Sequence, residues 1–203
     1  MYTNFMSLKQ ELGVLKDTEI DMLHIDIMGE HYVSNFTLGP DMTYTVQGYS
    51  TFPLDFYLIT EDDGGSLEHI AKHICSTFTF HPEAFGHPIC IMDTIPPKDC
   101  EMGIATEPEI SLEGVNHLLT IVNLGYVTTV SLDFSMQKLL DFLLNITKEF
   151  VDWRRIKRYN FTIDVDGNEN GENISLMITP AADIFESGTS YIIRKQFPRK
   201  SAF

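Results

Sequence analysis

Leu23-His24-Ile25-Asp26-Ile27-Met28 is the stretch from which the rest of the chain can be read. Leu23, Ile25 and Ile27 alternate with His24, Asp26 and Met28, the two-residue period of a strand with two distinct faces. In a parallel barrel one face packs on helices and the other points inward, so His24 and Asp26 would stand side by side inside. An imidazole beside a carboxylate on a rigid element can ligate a metal, move a proton, or do both. It can equally be a histidine satisfied by its acid and chemically inert. A second acidic stretch, Phe161-Thr162-Ile163-Asp164-Val165-Asp166-Gly167, tips the reading toward chemistry. Its aspartate–glycine end suits a strand terminus at an active-site rim.

The chain has 203 residues, 43% of them hydrophobic, enough for one domain over 1–203 with a proper core. The formal net charge of -15 argues against nucleic acid and anionic membrane as partners. A small anion remains compatible, because backbone N–H groups bind phosphate without a basic surface. No apolar run has the length of a membrane span. The start, Met1-Tyr2-Thr3-Asn4-Phe5, has neither the basic segment nor the apolar core of a signal peptide. Cys75, Cys90 and Cys100 are odd in number and lack metal-knuckle spacing, which suits a reducing cytoplasm. Two basic clusters, Arg154, Arg155, Lys157 and Arg158, then Arg194, Lys195, Arg199 and Lys200, read as solvated charge on a helix and a tail.

Strand-like and helix-like stretches alternate almost throughout. Leu8, Leu12 and Leu15 with Glu11 and Lys16 predict an amphipathic helix, with Ser7 as its N-cap. A loop over 35–40 leads to a strand at 52–59, a turn at 61–65 and a helix from Ser66 to about Ile74. A short strand at 78–81 follows. Pro88, Pro96 and Pro97 leave the crossover between 85 and 97 short or irregular. Then come a strand at 102–105, a helix opened by Ser111, a strand at 126–132, the longest helix at 136–153, the acidic strand, a weak helix near 173–177, and a last strand at 182–185. Seven strands in such an order fit a (β/α)₈ barrel. A doubly wound open sheet usually carries a nucleotide glycine fingerprint, which is missing here. Residues 1–5 leave room for an incomplete first strand and 191–203 for an incomplete last helix, both at one seam. That exposes a strand edge unless the N-terminus or a second subunit covers it.

Together, these residues resemble the ribulose-phosphate 3-epimerase family, including allulose-6-phosphate 3-epimerase. The likeness runs from Ser7-Leu8-Lys9-Gln10-Glu11-Leu12 through the His24 strand to His31-Tyr32-Val33-Ser34-Asn35-Phe36-Thr37-Leu38-Gly39-Pro40. It recurs at Pro53-Leu54-Asp55, His81-Pro82-Glu83-Ala84, Gly103 to Pro108, Val165-Asp166-Gly167 and Gly188-Thr189-Ser190. The resemblance implies inversion of C3 of a ketose phosphate through an enediolate. It makes Asp26 one acid/base and Asp166 the other, on opposite faces of the sugar carbon. It implies a divalent metal (Zn, Fe or Mn) held by His24, Asp26, Asp166 and one further histidine, polarising the carbonyl. Phosphate would rest on Gly188, Thr189 and Ser190, with Gly167 and Asn168 close by. Met28, His31 and His81 would lie at the rim, His81 bonded to backbone. His69, His73, His87 and His117 read as surface or packing residues, and Trp153 as an anchor of the long helix.

Four departures from the family pattern stand in or beside the site. Tyr57 occupies the place of the second metal histidine, and a neutral phenol is a poor Zn²⁺ ligand. The rim loop reads Met28-Gly29-Glu30-His31, with an acid lost and a glycine shifted. The loop Asp133-Phe134-Ser135-Met136-Gln137 lacks the phosphate-contacting glycines. The first strand is absent or cut to Tyr2-Thr3-Asn4. Two readings therefore stand side by side: an active epimerase with weakened metal affinity, and a catalytically silent barrel that binds a sugar phosphate or a protein. A different lyase or isomerase on the same barrel is the third, by fold analogy.

Overall fold

Seven short stretches with residue-by-residue alternation pair side by side in chain order, every neighbouring pair parallel. They are β1 (Leu23–Met28), β2 (Leu54–Ile59), β3 (Thr77–Phe80), β4 (Glu101–Thr106), β5 (Leu124–Thr128), β6 (Thr162–Asp166) and β7 (Ile184–Phe185). The computed structural model describes residues 5–16, 18, 20–29, 39–61, 76–94, 100–106, 111–128, 136–166 and 182–186, with the backbone alone over 136–143. The helices are α1 (Leu8–Leu15), α2 (Pro40–Tyr49), α3 (Pro88–Thr94), α4 (Leu112–Val115) and α5 (Met136–Lys157).

Alternation divides the sheet into two faces with different chemistry. Ile25 and Ile27 of β1, Phe56 and Leu58 of β2, and Ile163 and Val165 of β6 join helix residues such as Val46, Leu112 and Phe150 in the main core. The opposite face carries His24 beside Asp55, Asp26 beside Tyr57, and Tyr126 beside Asp164. A small inner cluster of Tyr57, Ile59, Ala105 and Tyr126, with Met28 against it, fills part of that face.

In a flat sheet the first and seventh strands would lie roughly 29 Å apart, at about 4.8 Å per strand. Here His24 Nδ1 on β1 is 2.7 Å from Oε1 of Glu186, the residue after β7. The sheet has therefore curled until its two edges face each other, which makes it an incomplete (β/α)₈ barrel. Among the described residues there is no eighth strand, and β1 does not pair with β7. The expected short first strand and last helix fall on residues outside those described, as do the helices at 66–74 and 173–177.

Several helix expectations change. Between the loop expected at 35–40 and β2 lies α2, to which no element was assigned from the sequence; Thr43, Tyr44, Thr45, Val46 and Gly48 are poor helix formers. Its signal was Pro40, which sits in the first helical turn, where a missing N–H costs nothing. Pro88 opens α3 in the same way rather than breaking it. Ser111 caps α4 as expected, accepting from the Glu113 N–H, but the helix expected to reach about Leu119 ends at Val115 and continues as turn. Ser7 holds the N-cap position of α1 without a side-chain cap, and its hydroxyl donates to Glu11 instead. No described helix is long and apolar enough to cross a membrane.

The last helix is bolted to the sheet at two points. A Cβ on Gly125 would fall 2.6 Å from the Phe150 ring, so the absent side chain of β5 is the space that α5 fills. Phe150 is fully buried and meets Phe161 edge to face. Arg154, expected to be a solvated charge, donates to the Phe161 carbonyl and pairs with Asp183, which also accepts from the Ile163 N–H. Trp153 packs against the core and carries Lys157 over its ring, as expected of an anchor. Phe150→Ala should cost about 3–5 kcal/mol, read as a lower urea midpoint. A loss under about 1 kcal/mol would show that α5 is held by other contacts.

Candidate active site

His24 is where the inward faces of four strands meet. From its own strand, Asp26 presents Oδ1 3.1 Å from Nε2. From β2, Asp55 presents Oδ2 2.7 Å from Nδ1, because the register sets the two residues side by side. From beyond β7, Glu186 Oε1 lies at the same 2.7 Å from Nδ1. A single N–H cannot point at both oxygens. The hydrogen bond goes to Asp55, and Glu186 Oε1 makes an ion pair without an aligned hydrogen bond. Above these groups Tyr126 stacks parallel to the imidazole with centroids 5.8 Å apart.

The electrostatics follow from burial. Desolvation alone would strip the proton from His24, yet Glu186, Asp26 and Asp55 outweigh it and hold the pKa well above the ordinary histidine value. One imidazolium balances one carboxylate, and Asp164, Asp166 and Glu186 stay protonated more readily than in water. Asp164 is pushed up to about 7 by burial and by the charge of Asp55. Burial raises Asp166, with His24 opposing and Asp26 adding to the rise. Burial likewise carries Glu186 well above the usual carboxylate range, against the pull of His24. Tyr126 is raised by burial and by Glu186 and Asp166, so it remains a neutral phenol.

The expected site residues divide cleanly. His24 and Asp26 are in contact, and Asp166 is near enough for both their charges to shift it. Met28 packs on the inner aromatic cluster. His81 is fully buried, and its ring bonds two side chains. Its Nδ1 donates to Glu83 Oε1 at 3.0 Å, which leaves Nε2 to accept from the Tyr57 hydroxyl at 2.5 Å. Tyr57 therefore spends its hydroxyl on His81 rather than turning it toward His24. His31, Gly167, Asn168, Gly188, Thr189 and Ser190 lie outside the described residues, as do His69 and His73. His87 and His117 are exposed.

Four residues of the site were not singled out by the sequence reading as functional: Asp55, Tyr126, Asp164 and Glu186. Asp55 and Tyr57, Tyr126 and Thr128, and Asp164 and Asp166 each share a face by the two-residue period. That signal could have found three of the four. Glu186 comes into contact through the curl of the sheet, which no local pattern records.

His24, Asp55 and Glu186 each offer a ligand atom, all within 4.8 Å of one another. One nitrogen with carboxylate oxygens suits Zn²⁺, Fe²⁺ or Mn²⁺. Asp55 Oδ1, Glu186 Oε1 and both oxygens of Asp164 are buried without hydrogen-bond partners, so the donor set fits a divalent ion.

The fold is a parallel, incomplete (β/α)₈ barrel with ionisable groups converging on its inner face, an architecture shared by many enzymes. The fold has a solved counterpart, the tryptophan synthase α subunit of Campylobacter jejuni, with a TM-score of 0.65 and 12% identity over 90% of this chain and 81% of that one. Residues 1–192 match the ribulose-phosphate 3 epimerase family, and the chain belongs to it. Ribulose-phosphate 3-epimerase of Helicobacter pylori is 32% identical over 195 residues, covering 95% of this chain and 88% of its own. The Buchnera aphidicola protein of that name is 28% identical, over 92% of this chain and 82% of its own. That of Bacillus subtilis is 27% identical, over 98% and 91%.

Two stability effects follow. Tyr57→Phe strands the buried His81 Nε2 and should cost about 1–3 kcal/mol, whereas Tyr57→Phe combined with His81→Leu should cost less than the sum of the single changes; strict additivity in urea unfolding would show that the two side chains do not interact. Asp164 keeps its proton in the folded chain up to about 7, while the unfolded group ionises near its ordinary value of 3.8. The folded state then binds the extra proton between those values, so in EDTA stability falls as pH rises through that window. Asp164→Asn should flatten the decline in melting temperature; an unchanged slope would assign it to other acids.

Proposed function

We propose that this protein is an epimerase that inverts C3 of a ketose phosphate, ribulose 5-phosphate or allulose 6-phosphate. Membership of the family supports an epimerase of phosphorylated sugars, and its relatives carry the name ribulose-phosphate 3-epimerase. The single observation that carries the mechanism is the convergence of Asp26 from β1 and Asp166 from β6 on His24.

The C3–H bond of a ketose is weakly acidic, because its electron pair can move into the C2 carbonyl. One aspartate takes the proton, the pair shifts to oxygen as the enediolate forms, and the other aspartate delivers a proton to the opposite face. No electrons are gained or lost overall, and the two carboxyl groups exchange roles for the reverse reaction. The raised pKa of Asp166 suits it to hold the proton that is delivered. Tyr126, a neutral phenol beside Asp166, stands where it could donate to the developing oxyanion. The buried aromatic surroundings exclude water and strengthen these interactions. A divalent cation held at His24 by the neighbouring carboxylates would supply Lewis-acid polarisation of the carbonyl. Phosphate is assigned to Gly188, Thr189 and Ser190, with Gly167 and Asn168, all of which follow the carboxyl ends of β6 and β7. Cys90 and Cys100 carry no disulfide among the described residues, which suits a reducing cytoplasm as the working compartment.

One observation favours the silent-barrel reading: the Tyr57 hydroxyl, at the place of a metal ligand, is engaged by His81. Incubation with ribulose 5-phosphate in D₂O, followed by NMR at C3, separates the two. Deuterium should enter C3 in the presence of Zn²⁺, Mn²⁺ or Fe²⁺. Asp26→Asn and Asp166→Asn should each slow its entry by at least about 100-fold. No exchange by the unaltered chain with any of these ions, nor with allulose 6-phosphate, would leave the silent barrel standing.

A further inference from the structure

Strand β5 ends on Thr128, a residue with no part in the proton transfer. Thr128 is 1% exposed, and its Oγ1 has no hydrogen-bond partner among the described residues. Alternation fixes which way it points. Val127 lies in the main core between sheet and helices, and Tyr126, two residues before Thr128, lies in the inner cluster. Thr128 therefore faces inward. The register sets it directly beside Asp166 on β6. A hydroxyl at that depth has left water and gained no bond in exchange, which destabilises the fold. Valine, of nearly the same shape, would fill the position without that loss. Other buried threonines with unpartnered hydroxyls are placed differently. Thr79 Oγ1 occupies the space that a Cβ on Gly103 would need, so it serves packing. Thr106 is the register neighbour of Val127 on the helix-facing side, and Thr147 belongs to α5. Thr128 is the one of the four beside an acid/base carboxylate.

We propose that Thr128 is a substrate-binding residue whose hydroxyl bonds the C4 hydroxyl of the ketose phosphate, next to the carbon that Asp166 serves. This rests on the epimerase reading, in which C3 lies between Asp26 and Asp166. The neighbours of C3 are the carbonyl at C2 and the hydroxyl-bearing C4. Tyr126 is assigned to the oxygen at C2, which gathers charge, so the oxygen at C4 is the one left for Thr128. A threonine hydroxyl both donates and accepts, and a sugar hydroxyl does the same, so the pair satisfies either direction of the bond. The substrate thus supplies the partner that the fold withholds. The C4 hydroxyl gains no charge as the enediolate forms, so the bond is equally strong before and during the reaction. Interactions of that kind set KM and leave kcat alone. The same contact discriminates among sugars, because a site built to bond a hydroxyl rejects an analogue that lacks it.

Thr128→Val and Thr128→Ser are compared with the unaltered full chain. Without substrate, Thr128→Val should melt at the same temperature or higher, because it removes a stranded hydroxyl and keeps the shape. Its KM for ribulose 5-phosphate, read by deuterium exchange at C3, should rise at least about tenfold with kcat within about threefold. Thr128→Ser keeps the hydroxyl and should hold KM within about threefold. A lower melting temperature for Thr128→Val would show that the fold itself satisfies the hydroxyl, and an unchanged KM that the sugar does not use it; either overturns the proposal. Calorimetry with the 4-deoxy analogue of ribulose 5-phosphate needs no variant to fold. The unaltered chain should bind it at least about tenfold more weakly than ribulose 5-phosphate, and equal binding refutes the contact. Thr128→Val should bind the analogue as the unaltered chain does. Calorimetric binding of ribulose 5-phosphate that weakens in Thr128→Val, with no exchange by the unaltered chain, would sink the epimerase and keep the contact. Exchange indifferent to Thr128→Val would do the opposite, and absence of both binding and exchange would sink both.

Discussion

A buried imidazole set among carboxylates is the constraint on which the rest of this barrel depends. His24 reaches Asp55 on the neighbouring strand and Glu186 at the far edge of the sheet, both at 2.7 Å. The second contact closes by side chains a gap that no described strand pairing closes. Ion pairs in such a setting gain from the low dielectric and lose from desolvation, so their value depends on how completely every polar atom is satisfied. Here satisfaction is incomplete, since oxygens of Asp55, Asp164 and Glu186 remain without partners. The layer that draws the edges together is also the layer with unbalanced charge.

The two-residue β7 needs this help. Its backbone is tied to β6 at both ends, by Asp183 N–H to the Ile163 carbonyl at 2.8 Å and Glu186 N–H to the Val165 carbonyl at 3.1 Å. The Asp183 side chain fixes the outer side by accepting from Arg154 and from the Ile163 N–H. Glu186 fixes the inner side through His24. A short strand flanked by acidic anchors on opposite faces can thus be held in register with little backbone pairing of its own. The position of Glu186 in the site is a consequence of that arrangement.

The strands were legible because alternation survives wherever one face is apolar and the other is not. Ile25 and Ile27 against His24 and Asp26, and Ile163 and Val165 against Asp164 and Asp166, show it most clearly. β2 was harder, since all six of its residues are buried and burial no longer separates its faces. α2 was illegible by propensity, because tertiary packing of Val46 and Thr43 overrides a weak local preference. His24, Asp26 and Asp166 could be named because they sit in strands with recognisable patterns. Asp55 and Asp164 were within reach of the same two-residue period, whereas Glu186 needed the curvature of the whole sheet. His81 failed differently. Its place before Pro82 suggested a rim residue, whereas it is fully buried and bonded to Tyr57.

Tyr57 connects these threads. A histidine at that position could offer a lone pair to a metal, but the phenol is neutral and its proton is given to His81. His81 accepts it because Glu83 holds the other ring proton, so the chain Tyr57–His81–Glu83 fixes one tautomer and locks the phenol in place. The ring is packed against Tyr126 at 4.5 Å and lies 5.8 Å from His24, filling the inner face with aromatic carbon. Exchange of an imidazole for this ring removes a ligand and lowers the local polarity together. Both changes press in one direction: they raise the cost of charge on the acids that remain. A barrel that keeps Asp55, Asp164 and Glu186 beside such a ring has to neutralise them from within their own layer, and His24 is the group around which that neutralisation is built.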